Sequence, residues 1–562
     1  MLVKSENFQA LNLLAGRYEG NVDCVYIDPP YNTGDSEILY KNEYLRATWL
    51  SLMENRVRSS LRLLSDDPTL FVAIDDFEMA DLCEVIDKDF PSLKREMIVV
   101  NHHPQGGKSA TLASTHEYML ACVLRTSART LVGRRGGDGP EDRPFKRSGT
   151  AESNFRRRRP NSFYAVLVDP RTKAVVGIER PPLLGHAYPK SQTEEGLTRV
   201  YPLGNGEEEE RVWRRSYEKC LPLVKAHKLI CSERMTIYQH IETGERKSAL
   251  FSNWIGSRYN AGTHGANLLS DILGVHNPFS YPKSIYTVED ALFAAGMDDE
   301  SVCVDYFAGS GTTGHAVINL NREDGARRRF VLIEMGGYFD TVLLPRVKKV
   351  VFSPKWKSGK PSRQATSEEA DRGPHVVAYA RLESYEDSLF GIRVVSTREA
   401  QGVLGLFGDD YVLRYMLESE TRGSASLLNV DKFKEPFDYK LTIQDGNGTR
   451  ENPVDLVQTF NYLLGLDVRK MRQFQDEGRI YRAVLGDRRG KCVVVIWRSV
   501  KDIEGKKDAL LKDRTFIEKT ILPALLADGA KPDRLFVNGA SFVKDAETIE
   551  PEFKRLMFAP LS

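Results

Sequence analysis

Apolar and polar positions fall into alternating blocks along the chain. Val22, Cys24, Val25, Tyr26 and Ile27 make a near-continuous apolar run, the pattern of a strand buried on both faces. Residues 43–64 place Leu45, Trp49, Leu52, Met53, Val57, Leu61 and Leu64 at intervals of three and four, which predicts a helix with one buried stripe. "TLFVAID" (69–75) reads as the next strand and "DDFEMADLCEVI" (75–86) as a helix with an acidic start. "EMIVV" (96–100) and "EYMLACVL" (117–124) are further short apolar runs. Strands alternating with helices predict a parallel, doubly wound sheet.

The texture changes from about 126 to 255. Gly, Arg and Pro crowd residues 133–160, and "FYAVLVDPRTKAVVGIE" (163–179) predicts a hairpin around Asp169-Pro170. An acidic tract, Glu207 to Glu210, precedes a basic one around Trp213, so this stretch reads as an inserted module with a β-rich element. The α/β pattern resumes near 282. "SVCVDYFAGSGTTGHAVINLN" (301–321) predicts a buried strand, a glycine turn and a helix with Ala316, Val317 and Leu320 on its apolar face. "RRFVLIE" (328–334) is the next strand, closed by an acid. Lys, Ser and Pro dominate 354–375, which reads as a linker, and 376–562 reads as a separate α/β domain with strands such as "CVVVIW" (492–497).

Composition bounds this picture. A chain of 562 residues exceeds one hydrophobic core, and 41% hydrophobic with 28% charged residues is ordinary for a soluble globular protein. Seven scattered cysteines without a C-x-x-C pair point to a reducing cytoplasm and no disulfides. With no apolar run of about 18 residues and no signal peptide, the expected location is intracellular, away from membranes. A net charge of +1 excludes a uniformly basic coat for nucleic acid. Locally the balance differs: Arg125 to Pro160 holds eleven Arg or Lys against four Asp or Glu, +7, with Arg156, Arg157, Arg158 and Arg159 uninterrupted. Such a run is either a solvated face or a phosphate-contacting patch.

Two stretches carry candidate chemistry. The first apolar run ends in Asp28, Pro29, Pro30 and Tyr31. Pro-Pro is an ordinary way to stop a strand, but an acid and an aromatic ring at a strand's carboxyl end lie where open parallel sheets bind ligands. The second stretch is Phe307-Ala308-Gly309-Ser310-Gly311, between the strand ending at Asp305 and the following helix, with Glu334 closing the next strand. This is the layout of a nucleoside-binding unit: glycines admit a ligand close to the backbone, and an acid accepts from ribose hydroxyls. A lone G-x-G also serves as a tight turn or a dinucleotide site, and the position of Gly314 does not fit the dinucleotide fingerprint.

"DPPY" followed much later by "FAGSGTT" resembles the amino-methyltransferases of DNA that use S-adenosylmethionine, in the order of their β class. "DPPYNTG", "GGKSATLASTHEYML" (106–120), "FKRSGTAESNFRRRRPNSFYAVLVD" (145–169), "YNAGTHGANLLSDILG" (259–274), "YPKSIYTVEDAL" (281–292), "RLESYEDSLF" (381–390) and "EPFDYKL" (435–441) together resemble the modification subunit of type III restriction-modification systems, over nearly the whole chain. Family members carry more chain ahead of DPPY, so any partner contact made through an amino-terminal element is in doubt here.

The resemblance implies a Rossmann-like S-adenosylmethionine-dependent methyltransferase sheet, its catalytic half at 1–125 and its cofactor-binding half at 256–353. A target-recognition domain at 126–255 is inserted between them; a linker (354–375) and a C-terminal α/β domain (376–562), a candidate for dimerisation, follow. It implies transfer to adenine N6 of a flipped base in double-stranded DNA, with Asp28, Pro29, Pro30 and Tyr31 catalytic. Cofactor contacts fall to Asp305, Phe307, Ala308, Gly309, Ser310, Gly311, Thr312, Thr313 and Glu334, with Lys283 and Ser284 near the methionyl end. Thr312 and Thr313 either cap the helix or meet the methionyl carboxylate. Arg156 to Arg159 become DNA contacts. A sulfonium donor requires no metal, and no Pro-Cys dipeptide marks a cysteine nucleophile. His116 is tempting as a base, but the family reading gives it no proton-transfer role. Implied partners are a second copy and a helicase-nuclease restriction subunit. Alternatives are a methyltransferase of another phage-defence system or of RNA, and a catalytically inactive DNA-specificity subunit.

Overall fold

The structure, a computed structural model, describes the chain apart from residues 32–45, 107–111, 128–130, 135–140, 149–151, 205–208, 242–246, 384–432, 446–447, 527–529 and 558–562. Asn32 to Gly34, Leu45, Glu207, Glu208 and parts of the "GGKSATLASTHEYML" and "RLESYEDSLF" stretches lie outside the described residues. Two compact units are formed: Met1–Leu131 with Phe251–Ser562, and Val132–Leu250. No described helix is long and apolar enough to cross a membrane.

The first unit is built on a nine-stranded sheet. Its strands are β1 (Leu2–Lys4), β2 (Val22–Ile27), β3 (Leu64–Ile74), β4 (Leu93–Val100), β5 (Glu117–Leu124), β6 (Asn253–Trp254), β7 (Val302–Asp305), β8 (Arg329–Glu334) and β9 (Tyr379–Arg381), in the order β6-β4-β5-β3-β2-β7-β8-β1-β9. The helices used below are α1 (Asn7–Tyr18), α2 (Arg46–Leu61), α3 (Met79–Asp89), α4 (Ile285–Ala294) and α5 (Thr312–Asp324). Trp49, Met53 and Val57 of α2, Leu11 and Leu14 of α1, and Leu82 and Ile86 of α3 share one core with Val22, Val25, Ile27, Val304 and Ile333. Burial on both faces explains why β2, β7 and β8 read as continuous apolar runs rather than alternating ones.

The expected all-parallel sheet needs one correction. β5 pairs antiparallel with both β3 and β4, whereas the other neighbouring pairs are parallel. β4 and β5 are joined with no helix described between them, and a chain that turns back without a crossover must run antiparallel. The predicted helix at 75–86 begins later, at Met79: the strand stops at Ile74, and Asp75 accepts from the Phe77 amide at 3.0 Å in the turn that follows. Two elements ahead of residue 22 were not anticipated. α1 is capped by Glu6, whose carboxylate accepts from Phe8 N at 2.7 Å, and β1 lies between β8 and β9. Ala10, Leu11, Leu14 and Ala15, at helical spacing, were the available signal.

The segment 354–375 contains a two-stranded ribbon (Trp356–Lys357 with Lys360–Pro361) and a helix, Ser367–Asp371, with a capping box. Further on, a five-stranded sheet carries its own aromatic core of Phe433, Phe460, Trp497, Phe536 and Phe553. In the second unit, the expected hairpin forms between Val166–Val168 and Val175–Ile178, with Asp169 accepting from the Arg171 and Thr172 amides in the turn. Its core includes Phe145, Tyr164 and Trp213, the indole N–H donating to the Tyr164 carbonyl at 2.8 Å.

Candidate active site

β2 and β7 are parallel neighbours, with Cys24 opposite Cys303 and Val25 opposite Val304. From β2 the chain passes to β3 on one side, and from β7 to β8 on the other, so the carboxyl ends of this pair form the switch point of the sheet. The loops beginning at Asp28 and at Tyr306 therefore leave side by side. β5, running the opposite way, delivers its first residue to the edge where the parallel strands deliver their last: Glu117 pairs with Val100 and Tyr118 with Ile74.

Four side chains meet there. Lys283 Nζ donates to Glu117 Oε2 at 2.7 Å and to the Tyr31 hydroxyl, and lies 3.1 Å from Asp28 Oδ1. The Tyr31 hydroxyl donates to Glu117 Oε2 at 3.0 Å. Asp28 keeps 26% of its side chain exposed, Glu117 only 3%. Burial pushes the Asp28 carboxyl above its ordinary range, with Lys283 opposing and Glu117 reinforcing the shift. Burial also works against ionised Glu117, but Lys283, His102 and the hydrogen bonds from Lys283 and Tyr31 outweigh it and hold that carboxyl low. Lys283 is raised despite its burial, because Asp28 and Glu117 both favour its charged form. Trp49 fixes the proline pair from beneath, its indole N–H donating to the Pro30 carbonyl at 2.8 Å.

The second cluster surrounds the glycine turn. Asp305 accepts from the Phe307 amide at 3.0 Å and from the Thr313 hydroxyl at 2.5 Å, and burial lifts its pKa to about 8. Gly309 and Gly311 have φ of 51° and 81°, the left-handed region that favours glycine. Glu334 Oε2 accepts from the Gly309 amide at 2.9 Å, while Oε1 accepts from the Met335 and Gly336 amides and the Tyr338 hydroxyl at 2.8, 2.9 and 3.0 Å. Phe307, Ala308 and Ser310 are buried. Gly314, which did not fit a dinucleotide fingerprint, has a packing role: a Cβ there would come within 2.9 Å of Leu332 Cδ1, so it sets the approach of α5 to β8.

Neither threonine caps α5. Thr313 is held by Asp305, and Thr312 accepts from Arg346 Nη1 at 2.9 Å. Arg346 is fully buried and also donates to Ser310 Oγ at 2.9 Å; burial lowers its pKa to about 9. Ser284, buried at the start of α4, donates to the Arg258 carbonyl at 2.7 Å, and Lys283 faces Asp28. His116 shares a 3.1 Å hydrogen bond with the Tyr118 hydroxyl and stands 4.0 Å from Asp76. Sequence reading missed Glu117, Arg346, Tyr338 and Trp49. Glu117, Arg346 and Trp49 act on residues remote in the chain, whereas Tyr338 bonds Glu334 four positions away; the local signals were that spacing and Glu117 as an acid heading an apolar strand.

In the second unit the four-arginine run does not act as one patch, and the expected DNA contact is corrected at Arg156. Its guanidinium is buried, pairing with Glu210 at 2.7 Å, donating to the Leu183 carbonyl at 2.8 Å and stacking on Phe163. Arg157 is exposed but paired with Glu152 at 2.8 Å. Arg158 and Arg159 are exposed, without a carboxylate partner among the described residues.

The chain is 27% identical over 351 residues to the type II methyltransferase M.KpnI of Klebsiella pneumoniae, covering 58% of this chain and 79% of that protein. It is 25% identical over 385 residues to the type III restriction-modification enzyme EcoPI Mod subunit of Escherichia phage P1, covering 59% of this chain and 57% of the relative. The chain thus spans little more than half the length of that relative. Among solved structures, TTHA0409, a putative DNA modification methylase from Thermus thermophilus, matches at a TM-score of 0.30 and 15% identity, covering 62% of this chain and 94% of that one. The family match is decisive: residues 22–341, more than half of the chain and both loops of the site, match the N6/N4 DNA methylases, and the chain belongs to that DNA methylase family.

Proposed function

We propose that this protein is a site-specific DNA methyltransferase that moves a methyl group from S-adenosylmethionine to adenine N6 in double-stranded DNA. The observation that carries the reading is the adjacency of the Asp28 loop and the glycine turn at the carboxyl ends of β2 and β7.

The glycine turn fits the cofactor. Gly309, half-buried with φ of 51°, offers left-handed backbone without a side chain that a nucleoside ligand can approach, while Gly311 packs against Leu343. Glu334, its carboxylate now held by the Gly309, Met335 and Gly336 amides and the Tyr338 hydroxyl, would accept from the ribose hydroxyls, Phe307 to Gly311 would line the methionine end, and Asp305 orders the loop through Phe307 and Thr313. When bound, S-adenosylmethionine supplies an electrophilic methyl on sulfonium: the base nitrogen gains the methyl and a positive charge and then loses one proton, and the donor leaves as a neutral thioether.

The chain's own residues supply the rest. The exocyclic amine of adenine is a poor nucleophile because its lone pair is delocalised into the ring. Hydrogen bonds from its N–H groups to the Asp28 carboxylate and the Pro29 carbonyl favour a more tetrahedral nitrogen with that pair freed. Preorganised acceptors act where charge develops. The Tyr31 ring stacks on the base, which must leave the duplex to reach the site. Asp rather than Ser ahead of Pro-Pro-Tyr supports adenine over cytosine.

The Mod names of several relatives support assignment as a type III modification subunit, with a second copy and a helicase-nuclease restriction subunit as partners. M.KpnI, named as a type II methyltransferase, supports activity without such a partner as the second reading. Arg158 and Arg159 are the proposed phosphate contacts of the second unit.

The test compares methyl transfer to unmethylated duplex DNA and to structured RNA, with single-molecule sequencing for N6-methyladenine. Duplex DNA modified at adenine is the expected result. Predominant transfer to RNA overturns the substrate assignment, and absence of both cofactor binding and transfer overturns the enzyme.

A further inference from the structure

We infer that Glu117 is a positioning residue for the transfer reaction, acting through Lys283 and Tyr31 to set the charge and orientation of Asp28. The inference rests on the methyl-transfer reading above.

The geometry is a shared cation. An ammonium has three donors, and Lys283 directs its own at Glu117 Oε2, at the Tyr31 hydroxyl and towards Asp28 Oδ1. Glu117 holds the nearer position, 2.7 Å against 3.1 Å for Asp28, and its Oε2 also receives the Tyr31 hydroxyl. One ammonium between two carboxylates leaves a single negative charge uncompensated. Asp28 is the more exposed carboxylate, so an incoming amine meets that charge at Asp28. Without Glu117 the ammonium would pair with Asp28 alone and neutralise the acceptor just where the reacting nitrogen becomes cationic. Glu117 also fixes the hydroxyl end of Tyr31, and with it the plane offered to the base.

The titratable groups facing the cluster are Lys283, Tyr31, Tyr26 and Asp305 around Asp28, and His102 and Asp75 near Glu117 and Lys283. Glu117 raises and Lys283 lowers the Asp28 carboxyl, so their removal has opposite signs.

The experiment measures single-turnover methyl transfer to unmethylated genomic DNA, at saturating S-adenosylmethionine and across a range of pH. It uses full-length wild type, Glu117→Gln, Glu117→Asp and Lys283→Gln, with donor affinity measured separately by calorimetry. Glu117→Gln is expected to slow transfer about tenfold or more, the scale of one lost charge-assisted interaction, with donor affinity retained. Its acid limb moves to lower pH, Lys283→Gln moves it to higher pH, and Glu117→Asp recovers part of the rate. Equal limbs in all variants, or full rate in Glu117→Gln, overturn the inference. If Glu117→Gln does not fold, Glu117→Asp decides: slower transfer with donor affinity retained supports the inference, and full wild-type rate overturns it. Failure of the wild type to methylate DNA overturns the underlying reading instead, whereas wild-type turnover with unmoved limbs overturns only the role of Glu117.

Discussion

Cys24 lies opposite Cys303 in the pairing of β2 with β7, and this register brings Asp28 and Asp305 to the same edge of the sheet. The loop that would hold the base and the turn that would hold the methyl donor are far apart in the chain and adjacent in space.

Replacing the acceptor separates its role from cofactor binding. Asp28→Ala is expected to reduce methyl transfer by about a hundredfold or more, the scale for loss of a preorganised electrostatic group, with donor affinity nearly intact. Transfer assays beside calorimetric titration of the donor check this, and full turnover by the variant counts against the acceptor role.

At Gly311 the backbone itself is the constraint. A side chain there must adopt φ near 81° and press on Leu343, so Gly311→Ala is expected to lower stability. The left-handed conformation alone costs about 1–2 kcal/mol for an L-residue. Urea denaturation reads this loss, and weaker donor binding should accompany it.

Asp305 makes stability depend on pH with a definite sign. Its carboxyl is raised from 3.8 to about 8 by burial, so the folded protein binds that proton more tightly than the unfolded chain. The contribution is fully present below the unfolded value and lost as pH rises towards 8. Asp305→Asn, which cannot ionise, should therefore gain stability relative to wild type as pH increases across that window. Denaturation midpoints at several pH values test it, and a difference that stays constant or shrinks defeats the assignment.

The basic run should divide by burial. Arg158→Ala with Arg159→Ala is expected to weaken binding to any duplex and flatten its salt dependence by about one unit of slope per arginine, while leaving the fold intact. Arg156→Ala removes a buried guanidinium from the Leu183 carbonyl, Phe163 and Glu210 and should instead destabilise the second unit, by about 1–3 kcal/mol on the scale of a buried acceptor left unsatisfied. Salt-dependent binding isotherms and thermal melts distinguish the two.

Much of the site was legible locally. A strand ending in Asp28-Pro29-Pro30-Tyr31 and a strand-turn-helix around Gly309 and Gly311 are encoded by neighbours in sequence, as are the acid closing β8 and the hairpin at Asp169. α1 was missed although Leu11 and Leu14 are spaced for it, and β1 is only three residues long. Periodicity could not reveal the direction of β5, since an apolar run reads the same either way.

The sequence by itself therefore determined the buried strands, the two chemical loops and the residue types available at each. Tertiary structure decided which of those residues touch. Only the reversed course of β5 brings Glu117 to Lys283 and Tyr31, only the packing beneath the glycine turn gives Ser310 and Thr312 to Arg346, and only the fold of the second unit buries Arg156 while leaving Arg158 and Arg159 in solvent. Hydrogen bonds and ion pairs depend on distances of a few ångströms between segments remote in the chain, and such distances are set by sheet order and burial rather than by spacing along the sequence.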